Sequence, residues 1–242
     1  PTIEKLAEYI DENSGNHSHI EILPAEEKEY YHLSSAQRRL FILDQLEGKD
    51  SINYNEPNVY VITGKLDRVK LEDTFKELIH RHESLRTSYR MLGETIIQIV
   101  HPQAPFSVQY QELDHELDEE LVKKEIASFI RPFDLGQAPL MRSKLLKIAD
   151  EKHILMTDMH HIIADGIAAL IFLDEFSSIY RDEPLPPLKL QYKDYAESLG
   201  NLLNAGSIKR QEEFWLDQFK NGDGVLQLPT GYPRPPIRSV EG

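Results

Sequence analysis

The stretch from Leu140 to Tyr180 restricts the fold more than any other part of this chain. Two strand-like runs, Leu140 to Ile148 and His153 to His160, flank Ala149-Asp150-Glu151-Lys152, a hairpin signal. The second run ends in Met159-His160-His161-Ile162-Ile163-Ala164-Asp165-Gly166, and an apolar helical pattern follows from about Ile167 to Tyr180. Neighbouring strand residues point to opposite faces, so His160 and His161 cannot both look into one cleft while the strand stays regular. One of them is a scaffold residue, and the other can reach a substrate. Asp165 stands where its carboxylate can cap the first helical turn or pair with an arginine. Gly166 gives the junction backbone freedom, or room for a close approach.

The rest of the chain alternates helices with strands. Ser34 to Gly48 opens on a serine cap and closes on a glycine, with Ala36, Leu40 and Leu43 at helical spacing. Val59 to Ile62 is a short β-rich run ended by Gly64. From Asp67 a helix carries Leu71, Phe75, Leu78 and Ile79 on one face. Arg81 to Tyr89 turns into a strand, Gly93 marks a turn, and Thr95 to Val100 returns. Ser107 to Leu113 reads as a strand, and a helix from about Leu117 to Ile130 stops before Pro132. This pattern predicts an α/β chain of the α+β two-layer kind, a mixed sheet with helices on one face. The expected divisions are a short helix over 1–11, a polar linker over 12–28, a lobe over 29–184, and a helical segment with a Pro-rich connector over 185–242.

Composition removes several functions. With 41 acidic against 27 basic residues the formal charge is −14, a surface that repels phosphate backbones and argues against nucleic acid as a partner. Cysteine is absent, which excludes disulfides and a thiolate nucleophile and fits a reducing cytoplasm. No apolar run is long enough to span a membrane, and the N-terminus has no secretory pattern. The expectation is a soluble, cytoplasmic piece of a longer protein. A metal site using His161 and Asp165 is disfavoured, because adjacent histidines diverge and no third ligand stands at motif spacing. No G-x-S-x-G elbow supports a serine triad. In isolation a histidine at a strand end is usually structural, and an aspartate before a helix is usually a cap.

Several segments together carry a resemblance. His160 to Gly166 resembles the HHxxxDG motif shared by the condensation domains of non-ribosomal peptide synthetases and the chloramphenicol-acetyltransferase-like acyltransferases. SSAQRRLFIL (34–43) resembles the first condensation-domain motif. RHESLRTSY (81–89) resembles the second, with Tyr89 where phenylalanine is usual. YKDYA (192–196), Arg131 to Leu135, and LPTGYPRP (228–235) are similar to later segments, in the same order. Ile167 and Ala168 depart from the aromatic or valine, then serine, that often follow the motif.

The resemblance implies a chloramphenicol-acetyltransferase-like lobe and amide formation between two carrier-bound thioesters. It makes His161 the catalytic residue and His160 a scaffold residue. Asp165 would be a structural carboxylate paired with an arginine, of which Arg86 is one candidate and an arginine of a second lobe another. Gly166 would complete the site, with no metal. No cofactor would bind directly, because the substrates ride on the phosphopantetheine of neighbouring carriers. The implied partners are upstream and downstream carrier domains, the module's adenylation domain, and the C-terminal lobe that such a domain has beyond its connector. Residues 1–11 resemble the last helix of a preceding carrier. Without its second lobe the piece is expected to be inactive. The other readings are an isolated lobe serving as a carrier-docking module, an epimerisation domain, and a stand-alone acyltransferase. An epimerisation domain differs in its second motif and connector, and the carrier-like N-terminus and YKDYA argue against the acyltransferase.

Overall fold

The computed structural model describes residues 2–13, 22–113, 119–204, 209–220, 222 and 231. In chain order its elements are α1 (Ile3–Asn13), β1 (Tyr31–His32), α2 (Ser35–Glu47), β2 (Asn55–Thr63) and α3 (Arg68–Arg81). A 3-10 turn (Glu83–Arg86) leads into β3 (Thr87–Leu92), β4 (Thr95–Val100), β5 (Val108–Glu112) and α4 (Glu119–Phe129). Then come β6 (Met141–Ala149), β7 (Lys152–His160), α5 (Gly166–Tyr180), α6 (Tyr192–Asn204) and α7 (Lys209–Phe219). The segment 223–230, which holds the start of the expected connector, lies outside the described residues, as does the linker stretch 14–21. The chain divides into two units, 1–201 and 202–242. In the second, α7 stacks Trp215 on Phe219 and sets Phe214 edge-on to Trp215.

The helix signals lie where the residues put them. Ser34 Oγ accepts the Gln37 N–H at 3.2 Å, and the Gln37 side chain accepts the Ser34 N–H at 3.0 Å, a reciprocal cap that satisfies two otherwise orphaned donors. Gly48, at φ 92°, closes α2 with its N–H on Asp44 O. Asp67 caps α3 by accepting from Val69 and Lys70. Because Ser34 is also buried, Ser34→Ala is expected to lower stability by about 1–2 kcal/mol, read by urea denaturation at pH 7.

The strands form two sheets. One is three-stranded and antiparallel in the order β1-β4-β3. The other is mixed, in the order β2-β7-β6-β5, with β5 parallel to β6 and the other pairs antiparallel. Alternation gives the mixed sheet two faces. Met141, Leu145, Leu155 and Met159 join the main core with Leu71, Phe75 and Leu78 of α3 and Phe172 of α5. Phe75 lies 4.9 Å from Phe176 and 5.4 Å from Phe106, ring centre to ring centre, a spacing at which aromatic quadrupoles attract. Leu146, Ile154 and Met156 point the other way, onto Phe129, Val122 and Ile126 of α4, so helices cover part of the second face too.

β2 is longer than the β-rich run Val59 to Ile62 and starts at Asn55. Pro57 hides this in the sequence, since proline normally argues against a strand. β2 is an edge strand, where a missing backbone donor is tolerated. That extension matters for the site.

Candidate active site

β7 runs out at the histidine pair, and the start of β2 lies beside it. In the antiparallel register Asn55 pairs with His160 and Glu56 with Met159, and the His161 N–H continues the ladder to Tyr54 O at 2.8 Å. Asn55, Asp158 and His160 thus share one face, while Glu56 and Met159 share the other.

His160 is 3% exposed. Its Nδ1 accepts the Ile162 N–H at 3.1 Å, which leaves the ring proton of the neutral form on Nε2, 3.9 Å from Asp44 Oδ1. Phe133 packs edge-on against it, and Tyr54 lies at a tilt. Burial, with a smaller contribution from His161, pushes its pKa down to about 4. An unfolded histidine titrates near pH 6.5, so the folded form resists protonation. The stability that follows is fully present above about pH 6.5 and is lost as pH falls toward 4, a total of about 3 kcal/mol. Denaturation midpoints between pH 7 and 4 are expected to fall along this window, and to fall less steeply in a His160→Asn variant.

The same face holds a buried ionic cluster. Asp158 is 0% exposed and takes the Asn55 amide at 2.7 Å, while the amide's second contact is Arg131 O at 3.0 Å. Arg142 Nε approaches Asp158 at 3.6 Å, and its guanidinium lies 3.6 Å from the Phe133 ring centre and donates to Pro132 O. Burial lowers the Arg142 pKa to about 10, only partly countered by Asp158, and burial raises Asp158 against the pull of Asn55, Arg142 and Arg131. Both shifts have the sign of desolvation outweighing attraction, as expected for a pair too long for a direct hydrogen bond.

His161 is different. Its side chain is 40% exposed, and its Nδ1 lies against the Glu56 carboxylate. The contact is close but does not meet hydrogen-bond geometry. Nε2 is the other ring nitrogen. The pair therefore divides as the strand alternation predicts, with His160 packed and His161 open.

Asp165 caps α5 by accepting the Ala168 N–H at 2.8 Å. Arg86 does not meet it: its guanidinium donates to His101 O and lies 3.6 Å from Glu83. The partner of the Asp165 carboxylate among the described residues is thus its own helix. Gly166 has no positive φ, and a Cβ there would meet nothing within 4 Å, so neither strain nor crowding calls for glycine at this position.

The other motifs interlock around this junction. Gln37 donates to Tyr89 Oη at 3.0 Å, and that hydroxyl reaches Ile162 O at 3.4 Å, which ties the first, second and third motifs together. The tyrosine that departs from the usual phenylalanine supplies this link. Tyr192 Oη contacts Ser34 Oγ at 2.9 Å, and Lys193 bonds Glu83. Beneath the loop, Met159, Ile163, Ala164, Ala168 and Phe172 help line a cavity of about 120 Å³ that His82 and Ser84 also face. A larger cleft, about 1050 Å³ at the start of α3, shares no residue with the motif, so chemistry rather than size locates the site. Among the described residues no three His, Asp or Glu side chains converge as a metal site, and no helix is long and apolar enough to cross a membrane.

A mixed sheet whose hairpin ends in one buried and one open histidine at a strand–helix junction is the framework of a chloramphenicol-acetyltransferase-like lobe. The condensation domain family model matches residues 27–242, and the chain belongs to that family. It is 43% identical over its full length to gramicidin S synthase 2 of Brevibacillus brevis, and 43% identical to bacitracin synthase 3 of Bacillus licheniformis. It spans 5% and 4% of those proteins. Among solved structures it resembles the X-domain from teicoplanin biosynthesis, with a TM-score of 0.75 and 25% identity over 90% of this chain and 49% of that one. It also shares the fold of the starter condensation domain of rhizomide synthetase, with a TM-score of 0.72 and 22% identity over 81% of this chain and 49% of that one.

Proposed function

We propose that this chain supplies the histidine-bearing lobe of an amide-forming condensation domain. The observation that carries the reading is the split of the histidine pair: His160 is buried in the core, and His161 presents an open imidazole at the end of β7. A donor acyl group, held as a thioester on one carrier's phosphopantetheine, meets the α-amine of an aminoacyl thioester on another. The amine nitrogen bonds to the donor carbonyl carbon, the C–S bond breaks, and the released thiolate leaves. The proton lost by the amine passes to His161 Nε2 and from there to the thiolate, so charge and atoms balance. A free α-amine has a pKa of about 7.7–8.0, so His161 is not required to be a strong base, and it also orients the nucleophile.

In this reading Asp165 and Gly166 shape the start of α5, His160 anchors the loop from below, and Arg86 stiffens the second motif. The solved relatives extend beyond the half that this chain matches, and the matching remainder would close a cleft over His161. The partners are carrier domains on either side and the adenylation domain that loads one of them, in the cytoplasm. Residues 1–11 are read as the last helix of the preceding carrier, and 185–242 as the passage to the second lobe.

The test is a condensation assay on the whole synthetase module, with donor- and acceptor-loaded carriers and the amide product detected by mass. Product from loaded carriers supports the proposal. Hydrolysis of the donor thioester, or epimerisation, without amide would overturn it.

A further inference from the structure

We infer that Glu56 is a positioning residue for His161, forming with it a carboxylate–imidazole pair that selects the ring nitrogen offered to the substrate. This rests on the reading of His161 as the reacting histidine. The case begins with the backbone. Glu56 precedes Pro57, whose ring pushes the residue before it into the extended region and so restricts the Glu56 backbone. The ladder then sets Glu56 diagonal to His161 on one face of the strand pair, two residues from Tyr54, whose carbonyl holds the His161 N–H. The next residue back, Asn55, is pinned on the opposite face by fully buried Asp158 and by Arg131 O.

Glu56 therefore hangs from a short stretch fixed at three points. What it touches is enclosed: His161 Nδ1 is buried and has no aligned hydrogen bond, and the Glu56 carboxylate lies against it. A carboxylate there favours the tautomer with the proton on Nδ1 and leaves the Nε2 lone pair free to take the amine's proton. Because Glu56 is 27% exposed, its effect is smaller than that of a triad carboxylate locked in a dry interior.

The test uses the whole module. Glu56→Gln keeps the shape and removes the charge. It is expected to lower kcat by about ten- to a hundredfold with KM for the loaded carriers unchanged, less than the roughly 10⁴-fold seen when a buried triad aspartate becomes asparagine. Glu56→Asp should recover part of the rate. Nitrogen-15 NMR of the His161 ring supplies a readout that needs no turnover: the Nδ1–H form should dominate in the parent and give way to a mixture in Glu56→Gln. An unchanged tautomer with unchanged kcat sinks the role of Glu56 alone. A His161→Ala module that keeps its full rate sinks the reading beneath it, and the two failures are separate.

Discussion

A module carrying His161→Ala is expected to form amide about a hundred to ten thousand times more slowly than its parent, with its folding unchanged. The size follows from what the imidazole can do: accept the proton of the attacking amine and deliver it to the departing thiolate. The fold should tolerate the change because His161 is 40% exposed and its ring makes no aligned hydrogen bond. Single-turnover kinetics with preloaded carriers, beside thermal melts of both proteins, measure the two halves of this expectation. A loss below a hundredfold would assign His161 to orienting the amine rather than to moving its proton. A melt shifted by many degrees would make the residue structural.

The second large effect is on stability. Asp158→Ala removes a carboxylate that is 0% exposed, strands the Arg142 charge, and takes from Asn55 its 2.7 Å partner. Removing one member of a buried ion pair costs about 3–5 kcal/mol, because the survivor keeps its desolvation penalty without compensation. Replacing both, as Asp158→Leu with Arg142→Met, should restore much of the loss, since burial of these charges outweighs their attraction. Urea unfolding of the two singles and the double closes the cycle. Two losses that simply add would show that Arg142 and Asp158 are not energetically coupled.

How much of this was readable in the residues depends on distance along the chain. Caps and turns are local, so Ser34, Gly48 and Asp67 announced their helices, and the hairpin of β6 and β7 announced itself through alternation and a polar turn. The divergence of His160 and His161 follows from one rule of strand geometry. Arg86 stood as a candidate partner of Asp165, yet Glu83 and the His101 carbonyl lie closer to it in sequence and hold it in space. Glu56, Asn55 and Asp158 gave no signal as a group. Asn55 and Asp158 meet across 103 positions, Glu56 reaches His161 on the opposite face, and Pro57 disguised the strand that carries both. The one available hint was Glu56-Pro57 itself, a charged residue forced into extended backbone.

That separation has a temporal side. β2 can pair with β7 only after nearly a hundred further residues have been made. At about 5–20 residues per second of synthesis, the strand waits about 5–20 s as an unpaired ribbon. Closing so long a loop costs entropy that is repaid only when the ladder zips, so the grip on His161 is expected late in folding. Residues that tighten β2 against β7 therefore govern how soon a newly made chain becomes competent, as well as how well it works afterwards.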